Sequence, residues 1–233
     1  MLFAEQHRVA LSPERILMIG NRILPSAPQA DAELISAYAK SSTAIISDNL
    51  ARLPGVIGVR PFHRVNGTMA GTALTVRVAA GDNLLIHKAL DLVRPGDVVV
   101  VDGDGETNRA LIGEIMATIA QTRGAAGMVI DGAVRDAGAL AKSEFPVFAR
   151  AAIHRGPYKN GPGEINVPVA IGGFVIEPGD IVVGDEDGIV AFPQAVAVEL
   201  LKAVHAQEQK EEDILRSIRQ GTYTGAYGTP ISP

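Results

Sequence analysis

The amino-acid sequence predicts an α/β protein, or a β-rich barrel with helices around it, with helical segments before it and one long helix after it. Apolar residues make up 47% of the 233 positions but aromatic residues only 4%, so Val, Ile, Leu and Ala must fill the interior. Short β-branched runs alternate with glycine turns and helical segments through the middle of the chain, as in sheets covered by helices. A long segment rich in Glu, Gln and Lys after Pro193 predicts the last helix.

The chain divides into three zones. Residues 1–30 contain three prolines and no regular periodicity, so we expect an N-terminal arm. Residues 31–192 carry the alternating pattern and predict the α/β domain in which a catalytic site would lie. Residues 193–233 predict a C-terminal helix followed by an exposed tail.

Two helices are predicted between residues 31 and 53. In the first, apolar residues from Leu34 to Tyr38 recur at helical spacing and predict one buried face. The second begins at Ser42 or Thr43, because either hydroxyl is able to accept from the free amides of a first helical turn.

Strands and helices then alternate up to residue 192. The predicted helices are Leu84–Leu92 and Gly113–Thr122, and the second ends in a cation and a glycine, Arg123 and Gly124. The predicted strands are Thr68–Val78, Val98–Val101, Met128–Ile130, Val147–Ala149, Phe174–Ile176 and Ile189–Phe192.

One motif occurs twice, as RPGDVVVVDGDG (94–105) and EPGDIVVGDEDG (177–188). Each copy predicts a Pro-Gly-Asp turn, a short buried strand and an acidic glycine turn. Asp-x-Asp-Gly also occurs in calcium loops, but the further acidic ligands of such a loop are missing here. The repeat therefore indicates two similar structural turns.

Composition excludes several classes of function. The formal net charge is −5 and no basic cluster interrupts it, which argues against a nucleic-acid partner. The chain has no Cys, so thiolate metal sites and cysteine nucleophiles are excluded. No apolar run reaches the roughly 20 residues needed to cross a bilayer, and the N-terminus lacks a signal-peptide pattern. We therefore expect a soluble cytoplasmic protein without a membrane partner.

The segment 111–140 is the strongest candidate for a site. Gly113 opens a helix, so the amides near Ile115 and Met116 have no intrahelical acceptor and form a potential anion site. A buried strand, followed by Gly132 and a sharp turn, leads into Arg135 and Asp136, at the end where α/β folds bind ligands. Arg135 could hold a carboxylate and Asp136 a hard cation such as Mg²⁺. From the residues alone, helix capping and surface pairing explain this dipeptide equally well.

Other motifs are weaker. His87 and Lys88 either approach the site or lie on a solvated helix face, and the loop 158–164 either lines the substrate entrance or shapes a subunit contact. Gly103-Asp104-Gly105 lacks the residues of a phosphate-binding loop, and no serine nucleophile elbow is present.

Five segments in the same order resemble one superfamily, that of the 4-hydroxy-4-methyl-2-oxoglutarate aldolases and the regulator of ribonuclease activity A (RraA). They are GDNLLIHKAL (81–90), PGDVVVVDGDG (95–105), ALIGEIMATIAQTRGAAGMVIDGAVRD (110–136), FPVFAR (145–150) and PGDIVVGDEDGIVAFP (178–193). The resemblance implies a compact α/β fold with a β/β/α, swivelling-domain-like core and a barrel-like sheet layer. It also implies a homotrimer or homohexamer with active sites at subunit interfaces.

The aldolase branch has an acidic residue, twenty intervening residues and then Arg-Asp. Here twenty residues separate Glu114 from Arg135-Asp136, so the spacing is kept. The family's acidic residue is usually Asp, and the extra methylene of Glu114 leaves the narrow aldolase assignment open.

The resemblance also implies a role for each matching residue. Asp136 would bind Mg²⁺ or Mn²⁺ directly, and Glu114 would hold a metal-bound water. Arg135 would bind the carboxylate and oxo oxygen of the substrate, and the backbone at Gly113, Ile115 and Met116 would hold the carboxylate. An acidic residue from a neighbouring subunit's C-terminal helix would complete the site; Glu211 matches best, with Glu212 and Asp213 as competitors.

The implied function is that of a metal-dependent (class II) pyruvate aldolase or oxaloacetate decarboxylase acting on a small 2-oxo acid. Two alternatives remain open at this point: a non-catalytic regulator that binds a ribonuclease, and a lyase or hydrolase of the same fold for another carboxylated or sugar-acid substrate.

Overall fold

A computed structural model describes residues 20–53 and 55–225. Its helices are α1 (Ala32–Tyr38), α2 (Thr43–Asp48), α3 (Leu84–Leu90), α4 (Glu114–Thr122), α5 (Ala137–Leu140) and α6 (Ala197–Arg219). Its strands are β1 (Arg60–Pro61), β2 (Met69–Val78), β3 (Asp97–Ile112), β4 (Gly127–Val134), β5 (Val147–Ala152), β6 (Gly163–Ile165), β7 (Val169–Ile171), β8 (Phe174–Ile176), β9 (Ile181–Asp185) and β10 (Gly188–Phe192).

Eight strands form one mixed sheet in the order β1-β5-β4-β3-β2-β9-β10, with β6 also paired to β2. The four central strands β2 to β5 are parallel, and the outer strands pair antiparallel to them. Strands β7 and β8 form a separate hairpin. The predicted α/β class, with N-terminal helices and a long C-terminal helix, is confirmed.

Both faces of the central strands are buried, which explains why β3 has four consecutive valines at residues 98–101. Val99 and Val101 point into the cluster formed with α3 and α4. Val98 and Val100 point the other way, into a cluster shared with Phe148 and the β7–β8 hairpin. Because successive side chains of a strand point to opposite faces of the sheet, one strand contributes residues to both hydrophobic cores.

The terminal helices pack on the outer strands β9 and β10. Tyr38 of α1 is fully buried, its ring lies 4.9 Å from that of Phe192, and its hydroxyl donates to the Ala197 carbonyl at 2.6 Å. Burial raises the pKa of Tyr38 to about 12. Leu200 and Val204 of α6 join the same cluster, so this contact attaches the C-terminal helix to the domain.

Three predicted strands were too short, including Val147–Ala149, which continues to Ala152. Val98–Val101 is the start of a strand that continues to Ile112, and Met128–Ile130 belongs to a strand that runs through Gly132 to Val134. The sharp turn expected at Gly132 is therefore wrong. Irregular register shifts between β3 and β4 accommodate the polar residues and glycines in this region.

The segment before α1 lies along the domain from residue 20 onward. Ile23 forms a bridge with Ile165, and the Leu24 amide donates to the Ile165 carbonyl at 3.1 Å. Arg22 forms an ion pair with buried Glu164. The rest of the predicted arm, and the tail after residue 225, lie outside the described residues.

The repeated Pro-Gly-Asp motif forms the same turn twice. Asp97 accepts from the Arg94 amide and Asp180 from the Glu177 amide, each at 2.9 Å. The glycine of each turn has φ near +90°, which glycine adopts without a Cβ clash. Among the described residues, no three His, Asp or Glu side chains form a group that could hold a metal ion.

A row of charged side chains crosses five adjacent strands where the valine core ends. It comprises Glu164, Arg77, Asp102, Asp131 and Arg150, from β6, β2, β3, β4 and β5. The Arg77 guanidinium lies 3.9 Å from Glu164 and 3.6 Å from Asp102, and Arg150 pairs with Asp131. Burial raises the pKa of Asp131, and Arg150 opposes that shift. The apolar core on this face of the sheet therefore ends at a row of paired charges.

No helix in the described part of the chain combines the length and apolarity needed to cross a membrane.

Candidate active site

The two halves of the predicted site meet at the carboxyl ends of β3 and β4. These strands are parallel neighbours, with Ile112 opposite Val134 at their ends, so the turns that follow them lie side by side. The Arg135 amide donates to the Ile112 carbonyl at 2.9 Å. Gly113 and Arg135-Asp136 therefore border one cleft. Glu114, separated from Arg135 by twenty residues, contacts Asp136 through its amide but is not among the lining residues of the cleft.

Gly113 is required by the close approach of these two turns. A Cβ at this position would lie 2.8 Å from the Cγ of Arg135 and would also overlap a carboxylate oxygen of Asp136. Its backbone is extended, with φ −150° and ψ −164°, so glycine is needed here for space and not for conformation. Gly113 is also the N-cap residue of α4.

Asp136 adopts a left-handed backbone conformation, with φ 56° and ψ 34°. Asp tolerates this region better than most residues, at a cost of about 1–3 kcal/mol. One carboxylate oxygen accepts from the Glu114 amide at 3.1 Å and lies 3.8 Å from the Arg135 Nε. The side chain is 42% exposed, so its other oxygen is open to a ligand.

The start of α4 supplies unpaired amides beside Arg135 and Asp136. The first intrahelical bond runs from the Ala117 amide to the Gly113 carbonyl at 3.1 Å. Within residues 20–53 and 55–225, the amides of Ile115 and Met116 donate to no protein acceptor. Because these amides and the helix dipole both favour negative charge, a carboxylate fits this end of the cleft.

The cleft has a volume of about 290 Å³. One wall comes from the start of α3 and the other from the loop after β5. Beyond the residues already named, it is lined by Asn83, His87, Leu111, Ile112, Gly156, Pro157 and Lys159. A second, more open groove of about 450 Å³ lies against the other side of Arg135 and Asp136, next to Ala152, Ile153 and His154.

Asn83 is the buried polar residue of the cleft. Its side chain donates to the Leu111 carbonyl at 2.9 Å and lies 3.4 Å from the Met116 sulfur. The residue is only 3% exposed, and its carbonyl oxygen has no partner among the described residues. A buried oxygen without a donor is costly, so a ligand or water with an N–H or O–H group fits beside it.

Two further basic side chains, His87 and Lys159, also line the cleft. His87 is half-buried, and burial lowers its pKa, with the positive charge of Lys159 acting in the same direction. His87 is therefore neutral at neutral pH, whereas Lys159 and Arg135 are cationic. Together with the amides of α4, these groups make the cleft suitable for a small anion.

Comparison with known sequences gives the same grouping as the motifs did. A sequence model described as RraA-like, Aldolase/RraA, matches residues 43–191, which is more than half of the chain. The chain belongs to the RraA-like family. A protein of Halalkalibacterium halodurans that carries the provisional name 4-hydroxy-4-methyl-2-oxoglutarate aldolase is 38% identical over 191 residues, covering 82% of this chain and 90% of the relative.

Solved structures show the same fold. A crystal structure of an uncharacterized protein from Pseudomonas syringae pv. tomato superposes with a TM-score of 0.74 at 28% identity, covering 84% of this RraA-like chain and 96% of that one. The Streptomyces coelicolor protein RraAS2, described as an unusual member of the RNase ES inhibitor RraA family, gives 0.72 at 29% identity, covering 80% and 97%.

Glu211 lies on α6 of this RraA-like chain, where its carboxylate accepts from Gln207 at 2.7 Å. It does not line the cleft of its own chain. A role at the site would therefore require the cleft of another subunit, as the family resemblance implies.

Sequence reasoning missed one residue of the cleft and left another open. Asn83 directly precedes α3, but its side chain makes no cap bond; Asp82 makes it instead, accepting from the Leu84 amide at 2.9 Å. Lys159 was placed in a loop whose position was undecided. The signal in both cases is tertiary, because the Gly81–Asn83 turn and the Gly156–Lys159 loop meet only in the folded chain.

Proposed function

We propose that this RraA-like chain is a divalent-metal-dependent lyase that cleaves a carbon–carbon bond of a small 2-oxo acid to give pyruvate. The observation that carries the proposal is the convergence of three groups in one small cleft: the guanidinium of Arg135, the carboxylate of Asp136 and the free amides at the start of α4. The aldolase name of the Halalkalibacterium relative supports the same assignment.

The residues present fit a hard divalent cation. Asp136 has an open carboxylate oxygen and accepts from the Glu114 amide, and carboxylates such as those of Asp136 and Glu114 supply the oxygen ligands that Mg²⁺ and Mn²⁺ prefer. Asp136 would bind the cation directly and Glu114 through a water, and Glu211 of a neighbouring subunit would add a third carboxylate in a homotrimer or homohexamer. When bound, the cation polarises the 2-oxo group and its adjacent carboxylate.

The chain's own groups provide binding and charge stabilisation. The amides of Ile115 and Met116 hold the substrate carboxylate, and Arg135 donates to the oxo oxygen. Cleavage between C3 and C4 leaves the bonding electrons on the pyruvate fragment, so negative charge develops on that oxygen and Arg135 stabilises it. Decarboxylation of oxaloacetate needs no further base, whereas aldol cleavage must remove the proton of the C4 hydroxyl, which we assign to a water near Glu114.

Cleft size and charge support a small anionic substrate. A volume of about 290 Å³ is at the lower end of ligand sites, which range from about 300 to 1,000 Å³. The cations Arg135 and Lys159 in its lining exceed the single negative charge of Asp136 before a metal binds. A larger sugar acid would have to extend into the second groove beside His154.

A second candidate is a regulator that binds a ribonuclease, favoured by the structural likeness to Streptomyces RraAS2, described as belonging to an RNase ES inhibitor family. Docking by itself requires neither the open carboxylate of Asp136 nor the free amides of α4. These two features favour the enzyme.

The test is pyruvate release from oxaloacetate and from 4-hydroxy-4-methyl-2-oxoglutarate, with Mg²⁺ or Mn²⁺ and with a chelator. We expect Asp136→Asn to lower turnover by about 100-fold or more, as for loss of a group that acts on developing charge. Asp91→Asn is the matched control, because Asp91 is 71% exposed and pairs with Arg123 at the far end of α3. Wild type without turnover of either substrate, or an Asp136→Asn variant as active as wild type, would contradict the proposal.

A further inference from the structure

One buried carboxylate connects the two walls of the cleft. Asp82 is 3% exposed and lies in the turn between β2 and α3. One of its oxygens accepts from the Leu84 amide at 2.9 Å, at the start of α3. The other accepts from the amides of Asn160 and Gly161, at 2.6 and 3.0 Å. The two oxygens therefore bind two segments that are far apart in sequence.

Further bonds hold the same two segments together. The Tyr158 amide donates to the Gly81 carbonyl at 2.8 Å, and the Asn83 amide donates to the Tyr158 carbonyl at 3.0 Å. Arg109 donates to the Gly156 carbonyl at 3.0 Å, and its guanidinium lies 4.0 Å from the centre of the Tyr158 ring. The loop 156–161 is thus fixed to the turn before α3.

Each fixed segment carries side chains of the cleft. Asn83 and His87 follow Asp82 directly, and Gly156, Pro157 and Lys159 belong to the loop. A turn or a helix cap alone would need only one acceptor oxygen, which Ser or Asn could supply. Burying a charged carboxylate is costly unless hydrogen bonds offset it. A carboxylate here has the advantage that its two oxygens serve both walls.

We propose that Asp82 is a positioning residue, which sets the separation of the α3 wall from the Lys159 loop and so fixes the width of the cleft opposite Arg135. Its effect on kinetics rests on the proposed lyase function, but its effect on the loop does not. Asp82 touches no reacting atom, so its loss should weaken substrate binding and leave the chemical step at Arg135 and Asp136 largely intact.

The experiment is Asp82→Ala in the full chain, with amide hydrogen exchange and steady-state kinetics measured on the same preparation. We expect exchange of the peptide that covers residues 156–163 to speed up by about tenfold or more, since its amides lose a buried acceptor. With oxaloacetate we expect KM to rise by about tenfold and kcat to change by less than about threefold, the pattern of lost ground-state binding.

Asp31→Ala is the matched control, because the Asp31 carboxylate also accepts from two amides at a helix start, those of Glu33 and Leu34 at 2.8 and 3.2 Å. It should leave both the loop exchange and KM unchanged. Asp82→Asn keeps the side-chain shape with one acceptor oxygen. Its loop exchange rate and KM should fall between those of wild type and Asp82→Ala, and it replaces the alanine variant in the test if that variant does not fold.

Unchanged exchange in the loop would overturn the proposal, as would faster exchange with unchanged KM, or an equal effect from Asp31→Ala. If the wild type turned over no 2-oxo acid, the lyase function would fail, while the exchange measurement would still decide whether Asp82 holds the loop.

Discussion

Replacing Gly113 with alanine tests whether the site depends on the close approach of two turns. The substitution adds one methyl group, which would lie 2.8 Å from the Arg135 Cγ and would overlap the Asp136 carboxylate. The backbone at Gly113 is extended, a conformation that alanine adopts freely. All of the conflict therefore falls on the two side chains that carry the proposed chemistry.

The structure separates the cost in stability from the cost in activity. The Arg135 and Asp136 side chains are 44% and 42% exposed, so they can move outward, and we expect the free energy of unfolding to fall by about 1 kcal/mol, the low end for overpacking. The same movement displaces the guanidinium and the carboxylate by about 1 Å, for which a loss of roughly 100-fold in kcat/KM is expected.

The assay pairs pyruvate release with urea unfolding, and Gly138→Ala is the control. Gly138 lies in α5, two residues after Asp136, and a Cβ there would meet nothing within 4 Å. We expect that variant to keep its activity within about twofold, as for substitutions that create no contact. Full activity in Gly113→Ala would refute the close-approach reasoning, and so would equal losses in the two alanine variants.

Two further predictions concern stability. Glu164→Gln should lower the free energy of unfolding at pH 7 by about 1–2 kcal/mol, because a buried charged acceptor loses part of its bonding to Arg22, itself partly exposed. The hydrogen bond from Arg22 is the main cause that lowers the pKa of Glu164. The stability difference between wild type and Glu164→Gln should therefore be full above about pH 5 and shrink as acid protonates the native carboxylate. A constant difference in urea unfolding from pH 7 to about pH 3 would contradict this account. Tyr38→Phe should cost about 1 kcal/mol, because the Ala197 carbonyl loses its buried donor, and unfolding at the wild-type midpoint would disprove that account.

The sequence predicted the elements with strong local signals. Asp31 and Ser42 are the N-cap residues of the two N-terminal helices, and both side chains accept hydrogen bonds from amides of the first turn. Thr43, the other candidate cap, instead donates its hydroxyl to the buried Asp185 at 2.6 Å. That partner lies on β9, 142 residues along the chain. The hydrophobic periodicity of the sequence cannot predict such a contact.

Strand ends were the least predictable part of the fold. Residues 102–109, DGDGETNR, have no apolar alternation, yet they continue β3 because β4 pairs with them through irregular register. Gly132 resembles a turn residue in sequence but lies inside a strand. Glycine is needed there because Leu111 and the Glu106 carbonyl pack too closely to leave room for a side chain. In both cases tertiary packing overrides the local signal.

The site was predictable to the extent that it follows two neighbouring strands. Gly113, Arg135 and Asp136 are brought together by the parallel pairing of β3 and β4, as their positions indicated. Asn83 was not found and the position of Lys159 was left open, because both reach the cleft through the Asp82 contact, which involves backbone amides and therefore no distinctive residue pattern in the loop.

The charged row on the sheet also bears on how accurately the chain folds. Parallel strands must find partners that are distant in sequence, and a shift by one residue exchanges the two faces of a strand. Such a shift in β4 would move Asp131 from beside Arg150 into the apolar cluster beneath α3 and α4, leaving a buried charge unpaired at a cost of several kcal/mol. Misaligned sheets are thereby penalised during folding, so the row distinguishes the native strand alignment from alternatives that the uniform valine segments alone would tolerate.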